Sequence, residues 1–421
     1  MGAGDVIKGV GVATTTGSAF DIFPTTPDPN PFDPPGSKSA SLQSALNAAI
    51  DGVAKSGQVR HEPRDPTDSG TFPVPITIAD ISEGAGKVHV AHYNGDEMDF
   101  VASEAKVPVM YAAFQLRNMV KRFATDVGIT KKKDLFDNLH KLDQFLLASN
   151  KVPVLKVPRD VGIRLPQYEQ MFKVTEGPLA IEFDGKLEAA STDKKARAAS
   201  PFAQSMFDMI VRSDDPLATR CIDMIGFNFL NGALVAGGYF DVDADSKKSK
   251  GLWVSGDFAS HEVRAVTTVN DGAGKLAGTT RRFAQMMAAI QLNLVNVTDP
   301  PAVDMKNLLE NAAWSAWLGS GNLGDIPTSR FSGNKIGVEE VGRRFGTQPR
   351  TYSEVSAIQS GSGKRYVLAW QNLQTKKPKM VRGEPTWDDW QLYSGMDIAK
   401  IVRATVKKYE GLAAAADPFP P

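Results

Sequence analysis

The chain has 421 residues, 42% of them hydrophobic and 23% charged, a globular composition with material for one large or two to three ordinary domains. Lys+Arg and Asp+Glu both number 48, and the resulting zero net charge argues against nucleic acid or an anionic membrane as the main partner. A single cysteine, Cys221, excludes an internal disulfide and a Cys-rich metal site, and His61, His89, His92, His140 and His261 show no metal-ligand spacing.

Residues 1–38 read as a Pro-rich arm or loosely packed tail, because the prolines between Pro24 and Pro35 exclude helix and disfavour a central strand. The first residues lack the basic and apolar regions of a secretory signal, and Val6 breaks a myristoylation motif. This implies a cytoplasmic chain, or one whose signal was removed. Residues 39–55 predict an amphipathic helix through Leu42, Leu46, Ala49, Ile50 and Val53. Residues 75–81 and 87–93 predict two strands with a turn at 82–86. A helix follows over 107–121. The next stretch, about 126–200, reads as an elaboration. It holds a helix (134–148), an extended run (152–161) and a hairpin in 174–187 turning at Asp184-Gly185.

Residues 203–212 and 217–229 predict helices, with Cys221 a small core residue in the second. Residues 233–257 are Gly-rich with strand-like pieces. Thr279-Thr280 predicts the start of a helix running to about 295. A further helix at 307–318 carries Trp314 and Trp317, three apart and read as core. Three short strands (335–340, 353–359, 365–371) and a long helix (388–409) close the chain. The Gly-Lys turns near Gly272 and Gly361 do not complete a phosphate loop and read as hairpin loops. No apolar run approaches the roughly 20 residues of a transmembrane helix. Strands at both ends with helices between predict an α+β fold. Its antiparallel sheet comes from 39–100 and 331–421, and its helical subdomain is 101–330.

Ser103 and Lys106 stand three apart where strand gives way to helix, so they share a face. A serine hydroxyl is a poor nucleophile without a positioned base, and a lysine amine so placed reaches it. Ser213-Asp214-Asp215 lies between two helices. There Asp215 before Pro216 also reads as a helix N-cap with Pro at the first helical position. Lys335-Ile336-Gly337 opens a strand, and also reads as an edge strand with a solvated lysine.

Taken together, Ser103-x-x-Lys106, Ser213-Asp-Asp215 and Lys335-x-Gly337, in this order and at a helix start, an interhelical loop and a strand start, resemble the S-x-x-K, S-D-N and K-T-G motifs of serine β-lactamases and penicillin-binding proteins. Class A-like β-lactamases are the nearest pattern within that superfamily, since Thr279-Thr280 resembles their T-T segment. The likeness spans roughly 39–415, with specific identity at fewer than a dozen positions.

The resemblance implies an acyl-transfer hydrolase acting through an acyl-enzyme on a β-lactam, peptide amide or ester, with no cofactor, in the periplasm or outside the cell. Ser103 would be the nucleophile, Lys106 the base, Ser213 the proton relay and Lys335 the anchor of an anionic group. Asp215 would bind the substrate amide and Gly337 would let the substrate approach. The Val338 and Ser103 N–H groups would form the oxyanion hole. Glu262 is the positional candidate for activating the deacylating water, without the usual surrounding signature. Two positions depart from the pattern. Asp215 replaces an Asn and, beside Lys106, favours a charged and poorer base. Ile336 removes a hydroxyl that binds the substrate carboxylate. These departures motivate the alternative of a catalytically impaired relative serving as a binding or structural module. A third reading is an unrelated α+β protein in which the motifs coincide.

Overall fold

The computed structural model describes residues 20–23, 26–32, 37–55, 74–148, 165–243, 249–256, 258, 276–295, 301–314, 323, 326–340, 349–373, 379–381, 384–386 and 395–420. Along the chain run α1 (Ser37–Lys55), β1 (Ile76–Asp80), β2 (His89–Tyr93), a 3-10 turn (Ala102–Ala105), α2 (Lys106–Val127), α3 (Phe202–Val211), α4 (Asp215–Ile225), α5 (Phe227–Ala236), α6 (Thr280–Gln291), β3 (Phe331–Glu340), β4 (Pro349–Gln359), β5 (Arg365–Leu373) and α7 (Gly395–Glu410). The chain divides into two compact units. One comprises 1–29, 105–276 and 295–308, and the other 30–104, 277–294 and 309–421.

The second unit is built on a five-stranded antiparallel sheet of order β3-β4-β5-β1-β2, so strands from both ends of the sequence share one sheet. Strand alternation sorts its side chains between two faces. Ile76, Ile78, Leu368 and Trp370 join Leu42, Leu46 and Ile50 of α1 and Ile398, Ile401, Val402 and Val406 of α7 in one apolar core. Burying each such aliphatic side chain contributes on the order of 1.5–3 kcal/mol. On the opposite face, Thr77 meets Thr280 of α6 hydroxyl to hydroxyl at 2.9 Å. Thr279 caps α6, its side chain accepting the Arg282 N–H at 3.2 Å, as its position before the helix predicts. The Gly-Lys turn after β4 is a hairpin loop, closed by the Ser360 N–H donating to the Lys364 carbonyl at 2.8 Å.

In the first unit α2 is buried along most of its length and packs against α3, α4 and α5. Cys221 is buried in α4, and burial pushes its thiol well above the ordinary value, which suits an inert packing residue. The hairpin of this unit pairs Phe172–Thr175 with Ala180–Phe183. Its turn therefore lies at 176–179, where Gly177 has φ +118°, and not at the expected Asp184-Gly185.

Part of the expected arm is packed rather than loose: Phe20, Ile22, Phe23 and Asp28 are buried, while Thr26, Pro27 and Pro29 are exposed. Phe20 packs edge-on against Phe123 at 5.0 Å, and Phe23 lies on Phe229. A Cβ on Gly232 would collide with the Phe23 ring. Buried Asp28 accepts hydrogen bonds from the hydroxyls of Tyr111 (2.9 Å) and Tyr239 (3.1 Å). The expected extended run at 152–161, the first Gly-Lys turn, Trp317 and the first residues of the 388–409 helix lie outside the described residues. Among the described residues no helix is long and apolar enough to cross a membrane.

Candidate active site

In the sheet unit, Ser103 sits in the 3-10 turn that leads directly into α2, and only 9% of it is exposed. The preceding residue, Ala102, has φ +45°, a left-handed conformation that costs a non-glycine residue roughly 1–2 kcal/mol. The turn is held from two sides. The Ser353 hydroxyl of β4 donates to the Val101 carbonyl at 2.9 Å. Gly337 of β3 approaches so closely that a Cβ there would collide with the Val101 carbonyl oxygen and the Ser353 hydroxyl, and would lie 2.9 Å from the Glu104 nitrogen. Glycine at this position is therefore a requirement of the backbone approach.

β3 is the edge strand, with Lys335 opposite Val355, Gly337 opposite Ser353 and Val338 opposite Tyr352. Lys335 is wholly buried, which corrects the reading of a solvated edge lysine. Ile336 is also buried and stands opposite Glu354, on the other face of the strand from Lys335 and Gly337.

Two carboxyl groups that are not defining residues of the three sequence motifs lie in this region. Glu354 is fully buried, accepts hydrogen bonds from Asn334 (2.9 Å) and Ser356, and is pushed up by burial to about 8. Glu104 is also fully buried, beside Ser353, and its carboxyl oxygens make no hydrogen bond of ordinary geometry. Burial, with Glu354 adding to it, holds Glu104 well above the carboxylate range. A Glu between Val101-Ala102 and Ala105 in an apolar run was the available signal for its burial.

In the helical unit, Lys106, Ser213 and Asp215 come together. Lys106 is the first residue of α2 and has no exposed surface. Its Nζ donates to the Ser213 carbonyl at 2.8 Å, the Ser213 hydroxyl at 3.2 Å and Asp215 Oδ1 at 2.6 Å. The Phe258 ring centroid lies 4.6 Å from the same nitrogen. Burial pulls the Lys106 amine down to about 8, against the opposing pull of Asp215.

Ser213 follows α3 with φ +56°, where a helix end ordinarily favours glycine. The Asp214 N–H returns to the Asp208 carbonyl at 3.1 Å, closing that turn. The cap of α4 is Asp214, whose Oδ1 accepts the Leu217 N–H at 2.8 Å. This corrects the reading of Asp215 as the cap. Asp215 is the first helical residue, Pro216 the second, and the Asp215 carboxylate is thereby released to Lys106. Arg197 ion-pairs with Asp214 and also approaches buried Asp208 at 3.8 Å, while Arg212 lies 3.4 Å from Asp208. Two guanidiniums thus anchor the loop that presents Ser213 and Asp215. Glu262, the positional candidate for water activation, lies outside the described residues. The boundary between units falls between Glu104 and Ala105, so the chain runs from Ser103 to Lys106 across it.

No known family's sequence profile matches the chain, and no curated protein sequence does. In fold the chain is similar to solved β-lactamases. The TLA-1 extended-spectrum β-lactamase aligns with 85% of this chain and 98% of its own, at 12% identity and a TM-score of 0.47. A β-lactamase from Sphaerobacter thermophilus aligns with 88% of this chain and 98% of its own, at 14% identity and a TM-score of 0.44. A representative class A β-lactamase from Bacteroides cellulosilyticus aligns with 87% and 96%, at 12% identity and a TM-score of 0.45. At such identities the likeness concerns the fold alone.

Proposed function

We propose that this protein is a serine acyl-transfer hydrolase of the β-lactamase or penicillin-binding type. The observation that carries the reading is the buried Lys106 amine, pulled down to about 8 and hydrogen-bonded to the Ser213-Asp215 loop. A lysine is a useful base only when part of its population is neutral near the working pH. Neutral Lys106 has two N–H groups, enough for the Ser213 carbonyl and Asp215, and a lone pair that can accept a proton.

In the proposed reaction, Ser103 Oγ attacks the substrate carbonyl and its proton passes to Lys106. The carbonyl π electrons move to oxygen, where the Ser103 and Val338 N–H groups stabilise the oxyanion. Collapse breaks the bond to the leaving group. That group takes a proton from the Ser213 hydroxyl, and Lys106 returns a proton to Ser213. Lys335 attracts an anionic part of the substrate. Water then attacks the acyl ester, releasing the acid and restoring the Ser103 hydroxyl. Substrates are β-lactams, peptide amides or esters.

The 2.6 Å Lys106–Asp215 ion pair favours a second reading, in which the lysine stays charged and the fold serves for binding. Intact-mass spectrometry after incubation with a penicillin, beside Ser103→Ala, tests the two. The expected result is a Ser103-dependent adduct, or Ser103-dependent hydrolysis without one. Absence of both, with an ester and amide panel also unreactive, would leave the binding reading.

A further inference from the structure

We propose that the substrate presents a hydrogen-bond donor to Asp215, in the form of a free, unacylated amino group close to the scissile carbonyl. This rests on the acyl-transfer reading and specifies its substrate class.

The argument starts from which duties Asp215 does not have. Capping of α4 falls to Asp214, and the anchoring guanidinium of Arg197 also goes to Asp214. Among the described residues, Asp215 hydrogen-bonds Lys106, through Oδ1. Its side chain is nevertheless 53% exposed, so the carboxylate is partly accessible beside the lysine.

An ionised carboxylate only accepts hydrogen bonds. The Asn of the resembled motif offers an N–H to an acylamino carbonyl, but Asp215 would set an anionic oxygen against that carbonyl. An amine in the same place is complementary, and an ammonium more so. The Phe258 ring beside Lys106 adds an aromatic face of the kind that cations favour. The same change that makes Asp215 unsuited to an acylated amine therefore suits it to a free one.

The test compares alanine p-nitroanilide, in both enantiomers, with its N-acetyl counterparts. The expected result is a kcat/KM at least about tenfold higher for the free amine. Added salt should reduce this preference, because Asp215 is half exposed and its pairing is screened. Asp215→Asn should shrink the ratio at least about tenfold or reverse it. A parent enzyme that prefers the N-acetyl compounds, or a ratio unchanged in Asp215→Asn, would overturn the proposal. Where no anilide is turned over, calorimetry on Ser103→Ala with alaninamide and N-acetylalaninamide decides. Tighter binding of the free amine, lost in Asp215→Asn, supports the donor assignment, and equal or absent binding of both refutes it. Turnover that persists in Ser103→Ala would sink the acyl-transfer reading separately, and the calorimetry would still report on Asp215.

Discussion

Lys106 in the helical unit is a buried cation and Glu354 in the sheet unit a buried acid, and their surroundings handle the burden differently. Lys106 has no exposed surface, yet three oxygen atoms receive its N–H bonds and one of them is a carboxylate. Glu354 is equally buried but is met by neutral donors, Asn334 and Ser356. Burial pulls the lysine down to about 8 and pushes the acid up to about 8. In the proposed reaction the first group is thereby a usable base, while the second holds its proton at neutral pH.

The two have opposite consequences for stability. Lys106 has a folded value below its ordinary 10.5, so the unfolded chain binds more protons between about 8 and 10.5 and stability rises with pH across that window. Glu354 has a folded value above its ordinary 4.5. Its contribution is full below 4.5 and is lost as pH rises toward about 8.

The largest effect should come from removing the base. Lys106→Met keeps the volume and loses the amine, and should slow acylation by about 10²–10⁴-fold, the usual contribution of a positioned general base. In the parent protein the acylation rate should climb with pH through a midpoint near 8, where Lys106 loses its proton. Asp215→Asn removes the group that raises the lysine, so its midpoint should fall and its rate at pH 7 should exceed the parent's. Single-turnover acylation measured from pH 6 to 10 separates these outcomes. A midpoint unmoved in Asp215→Asn would mean that the ion pair does not control the base.

A smaller effect should come from the acid side. Glu354→Gln keeps an acceptor for Asn334 and Ser356 and cannot ionise. It should match the parent below pH 4.5 and exceed it by at least about 1 kcal/mol at pH 9, because the parent must then retain a proton or bury a charge. Thermal unfolding across this range checks it. Parallel curves for the two proteins would show that Glu354 is not the group that couples the sheet to pH.

The same contrast explains what was legible in the sequence. The sheet was, because residues 75–93 and 365–371 alternate or run apolar between turn residues, and the Thr279 cap announces its helix. The hairpin turn was not. Asp184-Gly185 carries a strong turn signal, yet the chain reverses at 176–179, where Gly177 takes the positive φ. The packed part of the arm has no periodicity to betray Phe20, Phe23 or Asp28, since it is neither helix nor strand. Two aspartates before Pro216 offer two caps, and the ion pair from Arg197, in a segment read only as an elaboration, engages Asp214. Ser353 reaches Val101 across a sequence separation of 252, so the support of the Ser103 turn belongs to tertiary structure alone.

Each unit also holds one non-glycine residue in left-handed conformation at the candidate site, Ala102 at φ +45° and Ser213 at φ +56°. Ala102 carries only a methyl group, so its strain serves the placing of Ser103, whereas Ser213 also supplies the hydroxyl that meets Lys106. Glycine relieves the left-handed penalty of roughly 1–2 kcal/mol but loses about 0.5–1 kcal/mol to unfolded-state entropy. Ala102→Gly should therefore stabilise the protein by about 0–1.5 kcal/mol and leave Ser103 reactive. Ser213→Gly should be equally well folded but slow in protonating the leaving group, an effect that grows as the leaving group becomes more basic. Denaturant unfolding and a series of esters with graded leaving groups measure both. If Ala102→Gly loses reactivity as Ser213→Gly does, the methyl group at 102 has a role in the turn beyond its backbone angle, and the left-handed residue in the sheet unit would be as functional as the one in the helical unit.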